Sequence, residues 1–478
     1  MKSIFFYYSS FLLFASLFGG CRAPEPKSND ETKEEDTLPP VEEKYPSYFE
    51  DGRLLLSNLP PGFQSFAFSD FSQGVVFFGG LDSRAATSRI SIFNPEEAEP
   101  EQWFKEFVTP LSPRFLSSGS LSIKEGDEYV MFFGGASFVE VTRSRGERLG
   151  DGLIIKNPAK DPEIRRIPPS ALSPTPRDGH CVVGIENGKF LVLAGDNNGI
   201  FDKSMYIYDA ALDTWEKRPD QFANTGVTDY PKPQARTSAV CYLDARRQDI
   251  VIYGGFNETS GHLFDLWRYN IDSGIWREIS ISPHDGGLDQ GFRRKVSPQY
   301  STEGDVLTLY FGQELSSFST SVQSLNTVTG YFYSANESSI SEEDLRLESE
   351  MAANRMFRSP EIDNLLSPSG PYGLSQMGNQ GPILLLKTNS KGSVNTDNIG
   401  CYAAVARKLP VEKREYMTFL LDRSIFPDSD DVSCSTDGAP FASRSFTVKD
   451  KGILFFGTSE SGIFSSINSH AYYLPFKK

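Results

Sequence analysis

The sequence predicts an all-β fold in which one four-stranded sheet is repeated along the chain. Three observations predict it. Glycine marks close short β-branched or aromatic runs at Gly80, Gly135, Gly195, Gly255 and Gly312, a spacing of roughly 55 to 60 residues that signals a repeat. Alternating strands end in Tyr208-Asp209 and Tyr269-Asn270, and each pair is followed six residues later by a tryptophan, Trp215 or Trp276. Aromatic residues make up 13% of the chain, with 37 phenylalanines, which suits packing of sheet on sheet.

The clearest copy runs from Gln234 to Trp276. Residues 239–242 read as a first strand, and 249–253 as a second, β-branched and buried on both faces. Gly254-Gly255 then supplies a sharp turn that needs positive φ. Residues 266–270 alternate apolar and polar, as a third strand with one packed face does. Asp272-Ser273-Gly274 turns the chain into a fourth strand that opens at Trp276.

Sliding this template finds the other copies. One spans Arg177 to Trp215. Upstream, GVVFFGG leads to Trp103, and Pro113-Arg114 leads to YVMFFGG. Downstream, Arg293-Arg294 precedes a run ending near Gly312, and Ser443-Arg444 precedes GILFFGT. Between Gly312 and Gly457 the runs at 381–387 and 401–408 supply strands for one more copy, without the glycine pair. Such a unit cannot bury both faces alone, so the copies stack radially as blades of a β-propeller. The expected count is seven blades, with six as the alternative. The last copy stops after its third strand, AYYLPF, so residues 53–59 near the N-terminus are expected to complete it and latch the ring. Residues 338–357 carry strong helix formers behind Ser341-x-x-Asp344 and predict a short helix between blades.

The glycine pairs, the Tyr-Asp or Tyr-Asn dipeptides and the tryptophans six residues on resemble the kelch repeat family over residues 51–478. The resemblance is sharpest at 177–215 and 236–276. These units exceed the usual kelch length of about 50 residues, so their loops are enlarged. Trp103, Trp215 and Trp276 are expected to pack between adjacent blades.

Residues 1–20 read as a secretion signal: Lys2, then an apolar run from Ile4 to Phe18 that is too short to span a membrane stably. Leu17-Phe18-Gly19-Gly20-Cys21 resembles a bacterial lipobox, with Phe18 where leucine is usual. The resemblance implies lipidation at Cys21 and anchoring by acyl chains such as palmitate, without a spanning segment. Arg22 stands where an aspartate retains many Gram-negative lipoproteins at the inner membrane, so the outer membrane is the expected location. Residues 21–50 form an acidic tether. Between Arg22 and Lys44 lie eight acidic and four basic residues and almost no apolar ones.

The formal net charge is −16. With no basic cluster to offset it, the composition argues against a general nucleic-acid binder. Beyond Cys21 there are four cysteines. Cys181 and Cys241 occupy equivalent first-strand positions in neighbouring copies, as buried fillers or as a bridge; Cys401 and Cys434 are a second candidate pair. The four histidines, His180, His262, His284 and His470, show no metal-ligand spacing. There is no phosphate-cradling glycine loop and no nucleophile elbow. No cofactor and no catalytic residue is assigned.

One constellation points to binding. Arg114, Arg177, Arg236, Arg294 and Arg444 each stand just before a first strand, on the same face as the loops that follow the second strands. They would form a partial ring of guanidinium forks suited to carboxylate or phosphate, or else hold loop carbonyls of a neighbouring blade. The expected function is that of a monomeric, lipid-anchored cell-envelope module binding a protein or glycan through its loop faces. The alternatives are a kelch-propeller enzyme acting on sugars, of the epimerase or mutarotase kind, and an architectural envelope protein.

Overall fold

A computed structural model describes residues 66–283 apart from four short gaps (83–84, 100–101, 141–143 and 219–231), residues 54–56, and most strand residues between 299 and 475. The expected signal, Cys21, the tether, Arg294, Cys401 and Cys434 lie outside the described residues. Every regular element described is a β-strand.

The chain lays down antiparallel meanders one after another. Sheet A holds Ala67–Phe71, Gly74–Phe78, Arg89–Phe93 and Phe104–Val108. Sheet B holds Ser118–Lys124, Asp127–Phe133, Gly152–Lys156 and Glu163–Ile167. Sheet C holds Cys181–Ile185, Lys189–Leu193, Met205–Asp209 and Thr214–Lys217. Sheet D holds Val240–Asp244, Asp249–Asn257, Gly261–Asn270 and Trp276–Ile279.

Sheet E repeats the pattern with Gln299–Glu303, Val306–Tyr310, Val322–Asn326 and Tyr331–Ser334, and Ser282–Pro283 adds a parallel edge. Sheet F contains Tyr372–Gln376, Ile383–Lys387, Ala403–Lys408 and Glu415–Leu421. The two runs proposed for a copy without glycines are therefore adjacent strands. Sheet G joins Phe441–Val448, Gly452–Thr458 and His470–Pro475 to Leu54–Leu56. That last strand pairs antiparallel with its neighbour, Leu54 opposite Tyr473, so the N-terminal segment completes the final sheet as expected. Most of the helix expected at 338–357 lies outside the described residues; its end, within Met356–Arg358, is instead a strand paired with the last strand of sheet F.

Apolar cores join consecutive sheets face to face. One unites sheets G and A around Phe93, Trp103 and Tyr473. Others join A with B, B with C, C with D and D with E. The tryptophans sit in these seams. Trp103 meets Tyr473 of sheet G, and Trp215 meets Phe133 of sheet B. Each ring also packs on an aromatic of the strand before it: Trp215 lies 4.9 Å from Tyr208 and Trp276 4.9 Å from Tyr269, centroid to centroid. The residue after each tyrosine holds the turn, since Asp209 accepts from the amides of Ala211 and Leu212, and Asn270 from that of Ser273. The Tyr-Asp/Asn…Trp spacing is thus a turn clamp plus a packing ring.

The glycine mark has its own reason. Gly134 and Gly135 have φ of +65° and +98°, where a side chain is strained. A Cβ on Gly134 would stand 2.6 Å from the carbonyl oxygen of Arg177, because the chain entering the next sheet crosses there. In sheet C the first position is Ala194, which adopts φ of +60° despite its methyl group. The second strand of sheet D does not stop at Gly254-Gly255. It passes through a register shift and runs on to Asn257, so the mark is a bulge rather than a terminal turn.

Candidate functional site

The strand-leading arginines build a repeated node. In Arg114, Arg177 and Arg236, Nε donates to the carbonyl two residues earlier, that of Ser112, Thr175 or Gln234. Nη1 then reaches the first carbonyl of the glycine mark in the same sheet, on Gly134, Ala194 or Gly254. Each fork also meets an aspartate just ahead of, or within, the third strand. Arg114 lies 2.7 Å from Asp151, and Arg177 2.6 Å from Asp202. Arg236 grips Asp265 through both nitrogens, at 2.6 and 2.7 Å. The backbone carbonyl of each arginine accepts from the second glycine of the preceding sheet, Gly80, Gly135 or Gly195. One residue thereby ties its own sheet together and docks it on the last.

All three arginine side chains are fully buried. The expected open ring of forks is not what they form. A buried guanidinium requires a paired anion, and the aspartates supply it internally. Burial pushes the carboxyls of Asp265 and Asp202 up, but their arginines and neighbouring donors overcome it and hold both below the ordinary range. Arg444 lies in the first strand of sheet G, beside a register shift.

Sequence reasoning missed the aspartates. A repeated signal was present: Asp151, Asp202 and Asp265 each precede an apolar third-strand run. Asp202 stands three residues ahead of Met205, whereas Asp151 and Asp265 directly precede Gly152 and Leu266, and this drift hides the repeat.

Beyond the nodes, the chain continues into small hairpins at the same end of successive sheets. They are Leu81–Asp82 with Ala85–Ala86, Ala136–Val139 with Ser144–Arg148, Asp196–Asn197 with Ile200–Phe201, the distal ladder of sheet D, and Gln313–Glu314 with Ser317–Phe318. Val139 and Ile200 expose their side chains on these hairpins, Ile200 at 70%. Behind Ile200, Phe201 packs 6.2 Å from Phe256, which packs 5.6 Å from His262; all three rings are half-buried.

The second hairpin is strapped to sheet C by charge. Arg148 bridges Asp178 at 2.9 Å and Asp196 at 2.8 Å, and half-exposed Arg145 also reaches Asp178. Burial pushes the Asp178 carboxyl up, partly offset by the two arginines. His180, two residues on, is buried against Phe133. Burial, with Arg177 close by, drives its pKa down to about 3.

Two further places carry charge. On the first strand of sheet A, Asp70 keeps solvent access, yet surrounding protein desolvates its carboxyl and pushes it up to about 6. At the opposite end from the hairpins, buried Arg268 joins Asp244 at 2.6 Å and Asp249 at 2.9 Å, while Arg246 and Arg247 reach Asp305 of sheet E. Among the described residues no group of three or more His, Cys, Asp or Glu is arranged to hold a metal ion. No protein-family model matches the chain.

Proposed function

We propose that this chain is a lipid-anchored cell-envelope protein whose sheets close into a seven-bladed, kelch-type β-propeller, and that the propeller binds a protein or glycan through its hairpin face. Sheets G to E are joined by successive apolar seams. The first strand of sheet F also packs beside that of sheet G. A seam between E and F would complete the ring, and the strand at 54–56 fits the role of latch. Cys21 is the anchor and residues 21–50 the tether.

The observation that carries the binding reading is the division of labour at one end of the sheets. The arginines there are consumed by internal pairing, while the hairpins beyond them present Val139 and Ile200 to solvent beside half-buried aromatics. Exposed apolar side chains backed by rigid rings and rimmed by polar groups suit recognition of a protein surface or of a sugar face. A second reading, a sugar-converting enzyme, rests on Asp70, a solvent-reached carboxyl with a raised pKa on an inner strand.

The test incubates the full detergent-extracted protein with envelope extract and, separately, with a panel of envelope glycans. The binding reading expects a saturable partner in one of the two, lost in Ile200→Glu. Turnover of a free sugar by the wild type, abolished in Asp70→Asn, would replace it with the enzyme reading. A folded protein that captures nothing and converts nothing would refute both.

A further inference from the structure

The two inner strands of sheets C and D meet through sulfur. Cys181 opens the first strand of sheet C, and Cys241 is the second residue of the first strand of sheet D. Their Cα atoms lie 6.0 Å apart and their sulfurs are bonded, within the span a disulfide requires. Cys181 is buried in the apolar core shared by the two sheets, with Val183, Leu193 and Ile252, and Cys241 packs against the same core.

The neighbouring seam shows what the cystine replaces. Between B and C, the inner-strand hydroxyls of Ser118, Ser120 and Ser122 pair with backbone groups of Val182, Gly184 and Ile185. Near the cystine, sheets C and D instead share two hydrogen bonds onto the Gly179 carbonyl, from Ser238 N and Thr237 Oγ1.

We propose that Cys181–Cys241 is a covalent staple of the C–D seam, installed after export by a protein dithiol–disulfide oxidant. In that step the two thiols give up two protons and two electrons. A mixed disulfide forms through one sulfur, the second displaces it, and the oxidant leaves as a dithiol. A reducing cytosol would leave both thiols free. The inference rests on the export part of the proposed function and is independent of the partner.

The experiment compares full-length protein extracted from the envelope with the same chain lacking residues 2–20, retained in the cytosol. Each is denatured without reductant, alkylated with maleimide and mapped by peptide mass. In the exported protein Cys181 and Cys241 are expected to resist labelling until reduced and to appear as one linked peptide pair. In the retained protein both are expected to label. Labelling of both in the exported protein would overturn the staple itself. Linkage in both proteins would overturn its dependence on export while leaving the staple standing. As a second readout, reductant is expected to lower the melting temperature of the exported wild type by several degrees and to leave Cys181→Ala/Cys241→Ala unmoved. An equal shift in both would show that this bond does not hold the seam.

Discussion

Two neighbouring seams, C–D and D–E, share a geometry and differ in chemistry. Both bury an apolar core between consecutive four-stranded meanders. The C–D seam is closed between the first strands of the two sheets by a disulfide. The D–E seam is closed at its turn end by charged groups: Arg268, paired with Asp244 and Asp249 of its own sheet, puts Nη1 on Thr327 of sheet E, and Arg246 and Arg247 reach across to Asp305. The repeat therefore specifies where sheets meet but leaves open what fastens them. One seam should answer to reductant and the other to acid.

The largest effect sharpens that contrast. Arg268→Ala leaves buried Asp249 without its cation and strips Asp244 of one of its arginines, and should cost about 3 to 5 kcal/mol, read from the denaturant midpoint with and without reductant. A loss below about 1 kcal/mol would mean that Arg268 adds little to the apolar core and to the Arg246 and Arg247 bridges on Asp305. Next comes the staple. Closing a loop of sequence separation 60 predicts that Cys181→Ala/Cys241→Ala loses about 2 to 4 kcal/mol, with no dependence on pH between 5 and 8.

Acid provides a third comparison. His180 stays neutral in the fold down to about pH 3, while in the unfolded chain it takes a proton near pH 6.5. The unfolded state then binds more protons, so stability falls as pH drops below about 6.5. The loss should reach about 3 kcal/mol by pH 4.5, and His180→Leu should flatten that stretch of the curve. In the D–E seam the signs place the response lower. Arg247 and Arg246 hold Asp305 below its ordinary value, and Arg268 and Arg247 hold Asp244 there against the upward push of burial. Their contribution is present above about pH 4 and is lost only below it. The smallest effect is expected at Arg246, whose side chain is more than half exposed; Arg246→Ala should cost under about 1 kcal/mol and vanish into error at high salt.

Much of this fold was legible because its signals are local. The Tyr208-Asp209…Trp215 spacing encodes a turn and a ring that packs on it, both within one hairpin. Arg114, Arg177 and Arg236 were visible by position, but their burial was not. It depends on Asp151, Asp202 and Asp265, which stand 25 to 37 residues away and reach the arginine only after the sheet forms. Counting residues put Cys181 and Cys241 at one register, but the ladders set them one position apart, opposite Leu193 and Ile252, so that the two side chains face each other instead of pointing the same way. Whether they bridge depends on how closely the first strands of two sheets approach, and no single repeat states that distance. The hairpins beyond the marks escaped because Gly254-Gly255 looks like an end. Positive φ at both residues lets the strand bulge and continue instead.

In the proposed division of labour the arginines fasten the sheets from within and the hairpin end does the recognising. Sheet C offers a matched pair to test it: Ile200 and Leu212 are each 70% exposed, the first on a hairpin beyond the arginine node, the second in the turn at the opposite end of the sheet. The measurement is the dissociation constant of the captured partner for Ile200→Glu and for Leu212→Glu, each with an unchanged melting temperature. Loss of at least tenfold for Ile200→Glu alone is the predicted result. Equal affinities, or a loss confined to Leu212→Glu, would contradict it.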